Sequence, residues 1–514
     1  MPQHHQQEGC HLDYLLVFNY IYMKTKIKLS ILALFALLAT TSCDNYLDLR
    51  PQDGIVRDEF WKTKEDVQAA VIGIYTSLLD RNLTSRLFYY GELRGGLVSE
   101  GFNANDEIRD ILNTNVLPTN SITDWDVFYR SINYCNTVIE LAPNVKNLDP
   151  TFSQTQLNNF LSEALAIRAY LYFTLARSFK DVPLKLDASL SDSQNYQIPI
   201  SPQSVVFDQV IKDLELAKSY ATEDYGNNAY NKGRITVYSV NALLADVYLW
   251  TEQYQKAFDA TEEIVKSNKF ALINAGGSTW FNRVFAVGNS TESVFELQYS
   301  LLVQNPLYDL LNVFPQVRAT PLIMETVYGI DFDVPSNRDY RGDEAALIGS
   351  TGAIYKYTGL NNAESKDRNE SNTHWFVYRY ADVLLMKAEA AARLGQGQIS
   401  LDIISEIRTN RRALKATERT PGATDVPAVI DYVMEERARE LAFEGKRWFD
   451  LLRVAKANKY ERKQLLIDVA TKNAPPTSIQ SIVSKLNDNN SHYFPINFTE
   501  LQVNKALVQN PFYK

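Results

Sequence analysis

Apolar residues recur every three or four positions over much of the chain, with polar residues filling the gaps. That spacing gathers the apolar side chains on one face of a helix. It predicts helices over residues 64–80, 125–141, 156–179, 205–220, 236–250, 254–267, 378–394, 400–412, 426–444 and 448–457. Strand-like alternation is scarce, and SVFELQY at 293–299 is its best case. No Gly/Ser-rich or Pro-rich linker divides these segments.

Some predicted helices come in pairs with a short break. Ala245, Tyr248 and Ala257 carry small and aromatic residues at the spacing of a tetratricopeptide helix hairpin, and Ala388, Ala391 and Ser400 repeat it. Small residues let two helices approach while a tyrosine fills the neighbouring groove. The fold class is therefore all-α dominated, a tetratricopeptide-like helical-hairpin scaffold with minor β-hairpins. Between the helices lie segments predicted as irregular: 91–121, 181–202, 270–293, 304–371 and 474–491. They are rich in Asn, Gly, Ser and aromatics. Loops this long are uncommon in a compact domain unless they carry function, and a rigid helical back with polar-aromatic loops reads as a binding protein.

The N-terminus follows a different pattern. Lys24, Lys26 and Lys28 precede the apolar run LSILALFALLA at 29–39, which is too short to span a bilayer as a helix. Thr40, Thr41 and Ser42 then lead into Cys43. Small residues before a cysteine suit a lipoprotein signal peptidase, so 23–42 reads as a lipoprotein signal peptide and Cys43 as the lipidated residue. Thr40 stands where Leu is commonest; an ordinary signal peptide and an N-terminal membrane anchor are the competing readings. Residues 1–22 have no secretory role and read as a spurious extension upstream of a true start at Met23. The mature domain is expected to span 43–514, with a loop-rich insertion at about 270–375.

Acidic residues outnumber basic ones, 61 to 52, for a net charge of −9. That balance argues against a nucleic-acid surface, which needs a basic face. Aromatics make up 12% of the chain and suit a surface that stacks on flat ligands. The cysteines are Cys10, Cys43 and Cys135, too few for a disulfide framework, and Cys135 in its apolar helix reads as a buried small residue. Zinc-protease, serine-hydrolase and phosphate-loop motifs are missing. Beyond position 43 the only histidines are His374 and His492, which leaves no His-rich metal site. The acidic stretch Asp331, Asp333, Asn337, Asp339, Asp343 and Glu344 has Ser336 where a calcium loop needs Gly, so it reads as a solvated loop. No cofactor or metal is expected. A carboxylate pair for glycoside hydrolysis is a spatial feature, and nothing in the sequence singles one out.

Five stretches together resemble the SusD/RagB family of outer-membrane nutrient-binding lipoproteins of Bacteroidetes. They are CDNYLDLRP at 43–51 with Phe60 and Trp61, EALAIRAYLYF at 163–173 leading to FKDVPL at 179–184, KGRIT at 232–236, RYADVLLMKAE at 379–389, and ERARELAFEGKRWFDLLR at 436–453. The tail elements YFPI at 493–496, LQVN at 501–504 and QNPFY at 509–513 extend the likeness, with Phe512 standing where the family often has Gly. The motifs read as scaffold. In 436–453, charges at three- and four-residue spacing can pair along the helix while Leu441, Phe443, Trp448 and Phe449 pack inward.

The resemblance implies a lipid-anchored, cell-surface protein of the outer membrane. It would bind oligosaccharides and deliver them to a SusC-like TonB-dependent transporter, without catalysis. A peptide cargo is the first alternative. A surface glycosidase and a structural helical-repeat adaptor are more distant ones. Sugar binding needs aromatic faces for the C–H faces of the rings and polar groups for the hydroxyls. Three loops combine both and supply the candidate ligand residues: Arg94, Phe102, Asn103 and Asn105 in the first, Trp280 in the second, Tyr308 and Phe314 in the third. Trp280 and Tyr308 also fit a core role.

Overall fold

A computed structural model describes two units, residues 1–60 and Trp61–Lys514. In the first, only Tyr20, residues 22–27 and Phe60 are described, and residues 22–27 are helical. The apolar run 29–39 and Cys43 therefore lie outside the described residues. In the second unit, residues 192, 276–279, 330, 332, 335, 336, 362, 414–419 and 473 also lie outside them. No helix among the described residues is long and apolar enough to cross a membrane.

The second unit is mainly helical. In chain order its helices are α1 (Lys64–Leu78), α2 (Arg81–Glu92), α3 (Asp106–Leu112), α4 (Asp126–Leu148), α5 (Gln154–Phe179), α6 (Gln203–Tyr220), α7 (Asn228–Gly233), α8 (Val237–Trp250) and α9 (Tyr254–Lys266). They continue as α10 (Tyr380–Arg393), α11 (Gly397–Asn410), α12 (Val426–Glu440), α13 (Arg447–Tyr460), α14 (Gln464–Lys472), α15 (Pro476–Leu486) and α16 (Phe498–Val503). Capping boxes set several starts. Thr63 and Asp66 exchange hydrogen bonds at the head of α1, Ser153 and Gln156 at α5, Thr236 and Ser239 at α8. Neighbours in sequence pack as neighbours in space: α4 with α5, α5 with α6, α8 with α9, α9 with α10, and α10 with α11. That is the helical-hairpin array expected from the sequence. Ala245, Ala257, Ala388 and Ala391 are buried, and the Ser400 hydroxyl donates to the Ala388 carbonyl at 2.7 Å.

The centre of the array is α5. Every residue from 162 to 179 is buried, so this helix is packed against its neighbours on all sides. Its one deep charge toward α6, Arg168, is matched by Asp213 through two bonds of 2.8 Å. Cys135 is fully buried as expected, and burial pushes its thiol up.

The strands are short antiparallel pairs: β1 (Val98–Glu100) with β5 (Val317–Ala319), β2 (Val182–Pro183) with β3 (Ile200–Ser201), β4 (Ser293–Leu297) with β8 (Trp375–Arg379), and β6 (Leu347–Ile348) with β7 (Ala353–Ile354). Only β6–β7 is a local hairpin. β2–β3 pairs consecutive strands across a longer loop, whereas β1–β5 and β4–β8 join distant parts of the chain. The strand expected at 293–299 is β4, buried on both faces. Residues 474–491, expected to be irregular, contain α15. Pro476 starts it, and Ile482 and Leu486 at helical spacing pack with Ile467 of α14. Residues 270–375, expected as a loop-rich insertion, are not bare loop either. Ile273, Trp280, Phe281, Phe285 and Tyr355 form a second apolar core with Phe376 of β8.

The 436–453 motif builds a buried ionic lattice. Glu440 accepts from Arg379 at 2.5 Å, Arg411 at 2.9 Å and Arg341 at 3.1 Å. Glu444 takes Arg379 at 2.9 Å and Lys356 at 2.6 Å. Arg437 joins Asp382 at 2.8 Å to Asp450 at 2.9 Å, and Arg453 joins Asp450 at 2.9 Å to Glu389 at 2.6 Å. Some pairs run along the helix, as the spacing implied, but most cross between elements. A short turn follows. Gly445 has φ +69°, and a Cβ there would come within 2.8 Å of the Leu87 carbonyl oxygen. The Gly445 and Lys446 N–H groups donate to Glu92 Oε1 at 2.8 and 3.3 Å, while Glu92 Oε2 is buried without a hydrogen-bond partner among the described residues.

Burial alone would raise the Glu440 carboxyl, but the charges of Arg411, Arg379 and Arg341 outweigh it and hold it well below its ordinary range. Asp382 is likewise raised by burial but drawn down by Lys446 and Arg437, to about 2. Both carboxylates stabilise the fold above their ordinary pKa, and that contribution is lost as pH falls toward their folded values. Glu440→Gln should lower unfolding free energy by about 3 kcal/mol in urea melts at pH 7, because it leaves three guanidinium groups short of a counter-charge. Equal stability of wild type and variant would mean the lattice is not under tension from its buried charges. Glu92 behaves oppositely. Burial pushes it up to about 8 despite two N–H donors. It is neutral in both states at low pH, and stability falls as pH rises from its ordinary value of 4.5 to about 8. Glu92→Gln should therefore gain stability relative to wild type across that window, most at pH 8; a pH-independent difference would refute the buried-acid assignment.

Candidate functional site

One face of α2 forms the wall of a groove. Arg81, Asn82, Ser85, Arg86 and Tyr89 lie at helical spacing and all line it. The Asp80 side chain caps the helix, accepting from the Asn82 N–H at 2.8 Å. The opposite side is built from Asn105, Glu107 and Ile108 at the head of α3, and from Asp309, Leu310, Phe314 and Gln316. The groove holds about 370 Å³, toward the lower end of the ~300–1,000 Å³ typical of small-ligand sites.

The two loops that meet here are some two hundred residues apart in sequence. The β1–β5 pair brings them together, and the backbone then locks them. The Gly101 N–H donates to the Gln316 carbonyl and the Asn103 N–H to the Pro315 carbonyl, both at 3.0 Å. The Asn105 N–H donates to Gln316 Oε1 at 3.2 Å. Gly101 is required for this approach, since a Cβ would stand 2.2 Å from the Pro315 oxygen. As a result Asn105 and Phe314 line one groove, and Phe102 and Asn103 lie on the segment bonded to the Phe314 loop. Phe102 is 80% exposed and Phe314 54% exposed. Exposed rings of that size next to amide side chains offer an apolar face and hydrogen-bonding groups to the same ligand.

Both groove carboxylates have donors. Glu107 accepts from the Ser121 N–H at 2.6 Å and its hydroxyl at 2.7 Å. Asp309 receives Arg368 through two bonds of 2.8 and 2.9 Å. Arg86 is turned to Asp126 at 3.0 Å.

Three of the expected ligand residues are placed elsewhere, each for a packing reason. Arg94 is buried, with its guanidinium 4.3 Å from the Trp448 ring and 3.9 Å from Phe494, and it donates to the His492 carbonyl at 2.9 Å. Trp280 is buried in the second core, edge-on to Phe285. Tyr308 is buried with its hydroxyl donating to the Lys366 carbonyl at 2.6 Å. Arg81, Asn82, Tyr89 and Gln316 are groove residues that sequence reasoning missed. The only signal for the first three was the spacing 81, 82, 85, 89 within a segment whose helix had not been predicted. In the acidic stretch, Asp339 turns inward to Arg341 at 2.7 Å, and Asp331 accepts from the Asp333 and Val334 N–H groups. Among the described residues no cluster of three or more His, Cys, Asp or Glu side chains is arranged to hold a metal. A wider hollow of about 1030 Å³ runs along α11, lined by residues from Gln398 to Thr409 and by Arg412, and gathers no expected ligand residue.

Comparison with known proteins bears on the whole second unit. A family described as "SusD family" matches residues 187–513, and one described as "Starch-binding associating with outer membrane" matches residues 45–249. SusD-like protein P38 of Formosa agariphila is 28% identical over 480 residues, covering 84% of this chain and 92% of its own. A SusD-like protein of Bacteroides ovatus is 27% identical, covering 84% of this chain and 83% of its own. Among solved structures, a SusD superfamily protein from Bacteroides thetaiotaomicron superposes with a TM-score of 0.69 at 21% identity, covering 88% of this chain and 99% of that one. Bacteroides fragilis NanU superposes with a TM-score of 0.67 at 22% identity, covering 91% and 100%. With a match to more than half of its length, and with the helical array that its solved relatives share, the chain belongs to the SusD family.

Proposed function

We propose that the protein is a lipid-anchored nutrient receptor of the outer membrane, held at the cell surface through Cys43. It captures oligosaccharides in the α2–α3 groove and hands them to a SusC-like TonB-dependent transporter. The observation that carries this reading is the exposed Phe314 ring lining the groove beside Asn82, Asn105 and Gln316, with a second exposed ring, Phe102, on the segment bonded to the same loop. The rings take the C–H faces of a sugar and the amides take its hydroxyls. The description of the second matching family, starch-binding and associated with the outer membrane, supports the same direction. Glu107 and Asp309 are both engaged as acceptors, which suits binding better than hydrolysis. An open groove desolvates little surface, so the expected affinity is modest.

Isothermal titration of residues 44–514 against plant, host and microbial oligosaccharides, with a peptide set alongside, tests the cargo. Phe102→Ala and Phe314→Ala should each weaken glycan binding about tenfold, the loss of one ring contact, without lowering the melting temperature. Trp280→Ala should do the reverse, lowering the melting temperature by opening a core cavity. Unchanged affinity in both rim variants would move the site elsewhere, and binding of peptides alone would replace the glycan reading. For the anchor, Cys43→Ser should move the protein from the outer-membrane pellet to the soluble fraction. Retention in the pellet would rule out attachment through that thiol.

A further inference from the structure

A hollow of about 230 Å³ lies between α1 and α7 and shares no lining residue with the α2–α3 groove. Gln68, Ile72 and Tyr75, at helical spacing on α1, form one side, and Tyr230, Arg234 and Gln298 line the other. Toward the core α1 turns Val67, Val71, Ile74 and Leu78, so Ile72 stands on a face that packing within the chain leaves open. Ile72 is 51% exposed and Tyr230 54% exposed. The walls are fixed from behind by Glu163, whose carboxylate is fully buried. Arg234 donates to it through Nε at 2.9 Å and Nη2 at 2.6 Å, and the Tyr75 hydroxyl donates to it at 2.6 Å. The Arg234 guanidinium in turn lies 5.8 Å from the centroid of the Tyr230 ring. Gln298 is held by Nε2, which donates to the Ala229 carbonyl and to Asn289 Oδ1, both at 2.7 Å. Gly233 permits that approach, since a Cβ there would stand 2.6 Å from Gln298 Cδ.

This arrangement sets the chemistry of what fits. Arg234 is the one charged residue lining the hollow, and Glu163 neutralises it, so the walls favour an uncharged ligand. Arg234 Nη1 and Gln298 Oε1 have no hydrogen-bond partner among the described residues, which leaves a donor and an acceptor beside the Tyr230 ring and the Ile72 side chain. A hydroxyl can serve both, and the C–H face of a sugar ring suits the aromatic and aliphatic surface. The volume falls below the ~300–1,000 Å³ of sites that enclose a drug-sized ligand, so it suits a single sugar unit. We infer that the α1–α7 hollow is a second carbohydrate site, taking one neutral sugar residue against Tyr230. This rests on the glycan reading above and adds a binding point outside the groove.

The test titrates residues 44–514 with maltotriose, xylotriose and mannotriose, comparing wild type with Tyr230→Ala, Phe314→Ala and the double variant. At least one of these neutral sugars should fill two sites on the wild-type protein. Tyr230→Ala should weaken one of them about tenfold and spare the other, without lowering the melting temperature, because the ring is mostly exposed. Phe314→Ala should act on the other site alone, and the double variant should weaken both. Gln298→Ala should follow Tyr230→Ala. A single site, or a second site that survives both Tyr230→Ala and Gln298→Ala, overturns the second-site assignment and leaves the groove reading standing. Silence of all three sugars also overturns the second site, whereas the glycan reading falls only if the wider oligosaccharide panel is silent too.

Discussion

Three arginines from separate parts of the chain, Arg341, Arg379 and Arg411, converge on the Glu440 carboxylate at the end of α12. Four residues on, Glu444 takes Arg379 again, together with Lys356. All of these groups are buried. A charge removed from water is tolerable only with its partners in place, so no part of this lattice can shift alone. Arg341 and Lys356 come from the irregular 304–371 segment and Arg379 from the end of β8, whereas Glu440 ends α12 and Glu444 lies just past it. The lattice thus joins that segment to the helices. The next residue, Gly445, fixes α2 through Glu92. The turn after α12 therefore clamps the two parts of the chain that carry the walls of the groove: α2 directly, and the 304–371 segment that holds the 309–316 loop.

Most aromatics of this chain serve the interior. Tyr90 lies against Phe128, Phe179 and Phe494, and Trp250 against Phe173, Phe207 and Phe449. Rings in contact at these distances fill large gaps between helices that meet at several angles. A high aromatic content therefore reports chiefly how the hairpins are filled. The few rings left in solvent carry more information, and Phe102 and Phe314 sit on two segments that backbone bonds from Gly101 and Asn103 to residues 315 and 316 hold side by side.

A stiff scaffold with a shallow groove suits a receptor that must release what it captures. The rim is built from loops whose main chains are pinned, so little ordering is needed on binding, and little area is buried to slow release.

The helical array was legible in the sequence because its cause is local. Apolar spacing, capping residues and small residues at hairpin contacts act within a turn or two, and they placed α1, α4 to α6, α8 to α13 and the strand β4. Short elements such as α2, α3 and α15 were missed, since α2 is polar on its groove face and the others are brief and flanked by turn residues. The charge-rich motif at 436–453 marked its own importance, but its partners lie far off in the chain, and no spacing names Arg341 or Lys356. The groove was half legible. Phe102, Asn103, Asn105 and Phe314 stood out by residue type, whereas Arg94, Trp280 and Tyr308 looked the same on paper and are buried. Residue type tells what a side chain can do. Whether it faces solvent depends on which distant segment packs against it, and that only the tertiary structure decides.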